Sequence, residues 1–356
     1  MLQKINTIVN IILLGFSLVF IFLLGEIATR YLSTWLPTDV HMNGAPLLFS
    51  ESCYWLHPNS GSYQPLPQHR DIQYHYYFPH LRDTPVISSA RHILVLGDSF
   101  TFGHSLPWQS TYVAKLQEKA NEVFGKNKFQ FLNAATGGWG AADYLKYLED
   151  FGEKINPKFV LIFLNTDDIA RAVERDIYRL ADNHSLTLSE NFHPLAPVSF
   201  KTKLYNSWVF QHSALIHLMH HGIACVIHHG EQQHGVIIPG NERKMANPKD
   251  AVRLGEAIFL KINVWCKRHD SKLIVVTTGF NAFYNDNKNN PNKIFFSKAP
   301  AFFKKENIAF YDIAPLFKLE SQGKNFQISG DQHPNALGAK IISQTSWPCL
   351  QKQLNI

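Results

Sequence analysis

The sequence predicts an α/β protein: a three-layer, doubly wound parallel sheet behind an N-terminal transmembrane helix, with a helical insertion in its second half. Three observations predict it. Short, wholly apolar runs (HILVL at 92–96, FVLIFL at 159–164, KLIVVT at 272–277) have the length and β-branched content of strands buried on both faces. Between them lie stretches with apolar residues at helical spacing, the alternation that covers a parallel sheet with helices on both sides. The chain also begins with a segment too apolar to provide a polar face for a surface helix.

Taken in order, the first element is that segment. No charged side chain occurs from Ile5 to Gly25, and from Ile11 the run IILLGFSLVFIFLLG is long enough to cross a bilayer as a helix. Lys4 precedes it, while Glu26 and Arg30 follow and cancel, which places the N-terminus in the cytoplasm and the body outside, in the periplasm. A cleaved signal peptide is the competing reading. Gly25-Glu26-Ile27-Ala28 lacks the small-x-small cleavage pattern, so an uncleaved anchor over residues 1–30 is favoured. Residues 31–90, rich in Pro, His, Tyr and Ser, read as loops leading into a domain that spans 91–356. Within it, strands are expected at His92–Leu96, Phe129–Leu132, Phe159–Leu164, Lys272–Thr277 and Ile308–Tyr311. Helices are expected at Thr111–Phe124, Ala142–Ile155, Ala251–Arg268 and Ala336–Gln351. Between 172 and 247 the alternation fails, and a polar, His-rich segment reads as an insertion.

Composition excludes several classes. Of 356 residues, 45% are hydrophobic and 17% charged, enough to build a core and too apolar for a disordered chain. The formal charge of +6 is spread without any long basic run, so no nucleic-acid partner is expected. Cys53, Cys225, Cys266 and Cys349 lie far apart with no CxxC pair, which argues against a structural zinc site. Seven histidines fall within His212–His234, yet without acidic or thiolate neighbours they read as a solvated face, and neither metal nor cofactor is expected. Tyr74–Phe78 reads as packing or an edge strand, and Trp139 as a residue lining a pocket.

The chemistry-bearing residues lie at loop positions. Gly97-Asp98-Ser99-Phe100 follows the HILVL strand and precedes a helical pattern, so Ser99 falls on a strand-to-helix turn at the carboxyl edge of the sheet, where ligands bind in open α/β folds. A serine hydroxyl is a weak nucleophile until a base takes its proton. Asp331-Gln332-His333-Pro334-Asn335, ahead of the last helix, opens on the same edge. There His333 can act as general base, and Asp331 can hold its tautomer.

Through these blocks the sequence resembles the SGNH, or GDSL-type, hydrolases, whose sheet is flavodoxin-like, and in particular membrane-tethered bacterial members. Gly97–Phe100 is similar to the nucleophile block and the Asp331/His333 pair to the C-terminal block, although D-x-H replaces the commoner D-x-x-H. Asn133-Ala134-Ala135-Thr136-Gly137-Gly138-Trp139-Gly140 is similar to the second block, with Gly138 the match to its oxyanion-hole glycine. Asn165 resembles the third-block asparagine that completes the hole. Asn165-Thr166-Asp167-Asp168 stands where the family has Asn-Asp, so Asp167 competes for that position; a carboxylate there would repel a developing negative charge, which favours Asn165. The resemblance implies a catalytic Ser99, His333 and Asp331, with Ser99, Gly138 and Asn165 forming the oxyanion hole. It further implies hydrolysis of a small ester, such as an acetyl group, on an extracytoplasmic glycan or lipid. An acyltransferase using the same residues and a non-catalytic binding protein of the same fold are the alternatives.

Overall fold

The computed structural model describes residues 2–32, 56–57, 59–63, 72–181, 183, 185–190, 192, 213, 215–216, 218–219, 248–283, 290–328 and 332–355. A long helix, α1 (Leu2–Leu32), leads the chain. Its stretch Val9–Tyr31 has a mean hydropathy of 2.6, and its most apolar part is exposed, so among the described residues one helix is long and apolar enough to cross a membrane.

The first sheet lies in the segment expected to be loops and lead-in, where Tyr74–Phe78 reads as packing or an edge strand; that run is instead a central strand. Strands β1 (Gly61–Tyr63), β2 (Tyr74–Tyr77) and β3 (Leu81–Arg82) form a three-stranded antiparallel sheet with β2 in the middle. Along β2 the side chains alternate between buried and exposed, so Tyr74 and Tyr76 pack inward while Tyr77 faces out.

The main sheet follows. It is built from β4 (Arg91–Leu96), β5 (Phe129–Asn133), β6 (Phe159–Leu164), β9 (Lys272–Thr277) and β10 (Ala309–Tyr311), in the spatial order β10-β9-β6-β4-β5 and parallel throughout. Because β4 is first in sequence yet lies between β5 and β6, the winding reverses there. That reversal opens a crevice at the carboxyl ends of β4, β5 and β6. In β4, Leu94 and Leu96 face one core layer and Ile93 and Val95 the other, and β6 alternates in the same way. The first layer is closed by α4 (Ala141–Ile155), α5 (Asp168–Arg175), α6 (Pro248–Arg268) and α7 (Pro291–Lys305). The second is closed by α3 (Tyr112–Phe124), α8 (Ala314–Ser321) and α9 (Ala336–Leu354). The three-layer, doubly wound α/β architecture is therefore as expected, and each expected strand is present within a residue at either end.

Local chemistry explains the helix bounds. Thr111 caps α3 by accepting from Ala114 N, and Asn335 caps α9 by accepting from both Leu337 N and Gly338 N. Helix α7 forms despite Pro300 because Phe295, Ala299 and Phe303, four apart, are all buried. The break in alternation begins with a short hairpin, β7 (Tyr178–Leu180) and β8 (Leu186–Leu188), after α5, which itself packs into the main core. All seven histidines of the 212–234 cluster lie outside the described residues. Cys266 is a buried free thiol and Cys349 a half-buried one.

Candidate active site

The turn after β4 is constrained from both sides. A side chain at Gly97 would collide with Thr101, so only glycine fits against the short helix α2 (Ser99–Phe102) that starts two residues later. Asp98 is fully buried and caps α2, accepting from Phe100 N at 2.9 Å. Gly103, at φ +82°, closes α2 in the left-handed region, and its N–H bonds back to Ser99 O at 3.0 Å. Ser99 thus sits at the first helical position, over the crevice.

From the other end of the chain, the loop before α9 brings His333 to it: His333 Nε2 lies 2.8 Å from Ser99 Oγ. The loop is pinned by Asn335, whose side-chain amide donates to Asn325 O and Gln327 O at 2.9 Å each while its oxygen caps α9. Ile328 N donates to His333 O at 2.9 Å. The rings of Phe100 and His104 flank the imidazole, at centroid distances of 5.1 and 4.7 Å. Asp331 lies outside the described residues.

The second block runs beside this turn. Ala134 N and Thr136 N donate to Val95 O and Gly97 O, which holds the loop along the end of β4. Thr136–Trp139 is a tight turn closed by Trp139 N to Thr136 O, with Gly138 at φ +74°. Gly137 packs against the Gly97–Ser99 turn; a Cβ there would stand 3.8 Å from Ser99 Cβ. Arg175 donates to Gly138 O, and Arg171 donates to Trp139 O at 3.2 Å, so two guanidinium groups from α5 hold the carbonyl side of this loop. Trp139 itself is fully buried among Tyr144 and Tyr147. It is a core residue and does not line an open pocket, a correction to the expectation from its neighbour Gly138: the turn directs the indole down into the helix layer.

The third block is the most tightly bonded. Asn165, 1% exposed, donates from Nδ2 to Asp98 Oδ2 at 2.8 Å and accepts at Oδ1 from Thr278 Oγ1 at 2.8 Å. Its backbone N–H donates to Asp168 Oδ2 at 2.7 Å. Asp167, by contrast, is half-exposed and turned toward Arg171, 3.6 Å away. Of the two competitors, Asn165 is therefore the one bonded to the turn that carries Ser99.

No protein-family model matches the chain, and no characterised protein matches it in sequence. Solved structures resemble it in part. TesA aligns over 73% of this chain and 98% of its own, at 13% identity and a TM-score of 0.44. A member of the lipolytic G-D-S-L family from Veillonella parvula aligns over 73% and 98%, at 13% and 0.42. A catalytic mutant of Axe2, an acetylxylan esterase from Geobacillus stearothermophilus, aligns over 74% and 95%, at 14% and 0.43.

Behind Ser99 lies a charge cluster that sequence reasoning missed. Arg171 donates to Asp98 Oδ2 at 3.0 Å and lies 3.9 Å from Asp168, while Arg175 lies 3.8 Å from Asp143. Asp98, Asp143 and Asp168 are all fully buried. Burial, with the Asp98 charge adding to it, holds the Asp168 carboxyl well above the ordinary range despite Arg171 nearby. Burial likewise pushes Asp143 up to about 6, opposed by Arg175 and by the Gly140 N–H that its Oδ2 accepts. An Arg six residues beyond Asn165 gives no sign in sequence of reaching Asp98, and neither does Thr278. Among the described residues no group of three or more His, Cys, Asp or Glu side chains is arranged to hold a metal ion.

Proposed function

We propose that this protein is a serine ester hydrolase of the SGNH type, held to a membrane by α1, that cleaves a small acyl ester by way of an acyl-enzyme. The observation that carries the reading is the 2.8 Å contact between Ser99 Oγ and His333 Nε2 at the switch point of a parallel sheet. In the first step the Ser99 hydroxyl gives its proton to His333 Nε2 as Oγ bonds to the ester carbonyl carbon. The tetrahedral oxyanion collapses, the carbon–oxygen bond to the alcohol breaks, and His333 returns the proton to that alcohol. In the second step His333 takes a proton from water, the hydroxide oxygen attacks the acyl carbon, and Ser99 leaves with its proton restored.

The oxyanion is held by the backbone N–H groups of Ser99 and Gly138 and by the Asn165 amide, whose second N–H is free of the Asp98 bond by stoichiometry. On this reading Asp331 is the carboxylate that holds the imidazole's tautomer. The anchor remains attached, with the N-terminus cytoplasmic and the catalytic body periplasmic. Its support is the apolar stretch Val9–Tyr31, whose large apolar side chains are exposed, while near its end Glu26 accepts from Ser213 Oγ and Leu215 N.

The decisive experiment is labelling of the full chain with a fluorophosphonate, alongside hydrolysis of p-nitrophenyl acetate. Wild type should label and turn over, Ser99→Ala should do neither, and His333→Ala should lose nearly all turnover because the two residues act as a unit. Failure of the wild type to label, or a His333→Ala rate within a few-fold of wild type, rejects the reading.

A further inference from the structure

The imidazole of His333 stands between two rings that are held by different parts of the molecule. On one side is Phe100, whose ring meets Phe280 edge-on at 4.7 Å and through it Phe317, both in the second core layer. On the other side is His104, whose ring centroid lies 4.7 Å from that of His333. His104 is half-buried and belongs to the turn after α2. A ring on a turn takes its place from whatever holds the backbone on either side of it.

That backbone is held by the small sheet. Arg82 on β3 is fully buried; its Nη1 donates to Phe102 O and to Gly103 O, the latter at 2.8 Å, and its Nη2 donates to Leu106 O at 2.6 Å. The Tyr74 hydroxyl on β2 accepts from Ser105 N at 3.0 Å. From Phe102 to Leu106, each residue except His104 therefore has a backbone group bonded to β2 or β3, and His104 N donates to Ser99 O at 3.0 Å. A one-turn helix leaves its last carbonyls without helical partners, and here a guanidinium meets them. Its plane lies over Tyr74 and Phe102, 4.2 and 4.4 Å from the ring centroids, while Nε donates to Asp83 Oδ2 at 3.0 Å. A planar fork bonded to three carbonyls fixes their directions, which the single ammonium of a lysine cannot do.

We propose that Arg82 and Tyr74 are positioning residues for the catalytic pair: through the 102–106 backbone they set the His104 ring as the second wall of the His333 imidazole. This rests on the proposed hydrolase. Proton transfer needs Nε2 within hydrogen-bond reach of Ser99 Oγ, so an imidazole that loses one wall loses rate out of proportion to stability. If the small sheet only braced the fold, its bonds to this turn and the His104 ring would act on the rate independently.

The test is a double-mutant cycle on the full chain, read by kcat and KM for p-nitrophenyl acetate and by the rate of fluorophosphonate labelling, with the folded fraction of each variant measured by circular dichroism. His104→Ala should lower kcat and the labelling rate about tenfold, with KM within about twofold of wild type. His104→Phe, which keeps a ring against the imidazole, should recover most of that loss. Arg82→Met should also lower kcat about tenfold, and Tyr74→Phe, which deletes one bond and keeps the ring, about threefold. Either of these combined with His104→Ala should fall no more than about twofold below the slower single variant. Tyr74→Phe carries the cycle if Arg82→Met does not fold. A double variant that loses the product of the two single factors overturns the proposal. So does a Tyr74→Phe or His104→Ala rate equal to wild type, or a His104→Phe rate as low as that of the alanine variant. Failure of the hydrolase reading is seen elsewhere, in a wild type that neither labels nor turns over.

Discussion

Ser99 and His333 face each other across 2.8 Å but are held in place by unlike means. The serine side is fixed from behind by a buried polar network in which Asp98 joins Asn165 and Arg171, Asn165 joins Thr278, and α5 clamps the second-block carbonyls. The histidine side is a loop in which Asn335 makes four side-chain hydrogen bonds, joined by Ile328 N to His333 O and Gln327 Nε2 to Gln332 O. The first arrangement is costly to disturb, because every member loses a buried partner when one is removed. The second is local and partly exposed, so its failure should displace the imidazole without unfolding the sheet.

The comparison breaks most sharply at Arg171. Replacing it by methionine keeps the length of the side chain and removes the guanidinium, leaving Asp98 buried with two neutral donors and Asp168 without its nearest cation. Removing one partner of a buried ion pair costs about 3–5 kcal/mol. Arg171 is itself a quarter exposed, so the lower end of that range is expected. Arg171→Met should lower the denaturation midpoint strongly and kcat with it, because the carboxylate that aligns the Asn165 amide is the one left unbalanced. A variant as stable as wild type would mean that the network does not hold the serine side.

How much of this was legible follows the distance over which each contact is made. The Gly97–Ser99 turn, the strands and the helix opened by Asn335 are written in runs of a few residues, so pattern and capping chemistry reveal them. The joining of Ser99 to His333 rested on two short motifs placed on one edge by the alternation of strands and helices. The network behind Ser99 is different: Asp98 reaches Asn165 across 67 positions, and Asn165 reaches Thr278 across 113. No spacing rule connects them, and nothing in the sequence around Arg171 marks it apart from any other charged residue. The small sheet β1–β3 was legible only at Tyr74–Phe78, for another reason. Its strands are two to four residues long, in a stretch whose Pro and Ser content signals loop, and it is tied to the body by contacts distant in sequence, from Arg82 to Gly103 O and Leu106 O and from Ser105 N to the Tyr74 hydroxyl.

The acid range sharpens the picture of the serine side. Asp143 is buried and its pKa in the folded state is raised from 3.8 to about 6. Between these values the folded protein binds more protons than the unfolded chain, so this group's contribution is most favourable below pH 4 and is lost as pH rises toward 6. Asp168, also raised, acts in the same direction. A shift of about two units corresponds to an effect on the order of 3 kcal/mol across that window. Asp143→Asn removes the titration, so its stability measured by urea denaturation should fall less than that of wild type between pH 4 and 6. Parallel curves would show that the carboxylate is already ionised in the folded state, and that Arg175 outweighs burial.

The smallest effect is expected on the histidine side. Asn335→Ala deletes the cap of α9 and both bonds to the 325–327 segment; loss of such a cap costs about 1 kcal/mol, to about 2 at most. The sheet and the network behind Ser99 have no contact with this side chain, so the stability change should stay in that range. His333, two residues before Asn335, should nevertheless lose its alignment, and kcat for p-nitrophenyl acetate should fall further than stability does. Asn335→Asp retains the acceptor that caps α9 but cannot donate to Asn325 O and Gln327 O, which separates the two roles. If the aspartate variant restores stability while kcat stays low, the two backbone carbonyls, and not the helix cap, hold the imidazole over Ser99. If it restores both, the cap alone positions the loop, and the contrast with the serine side reduces to one between a helix terminus and a buried network.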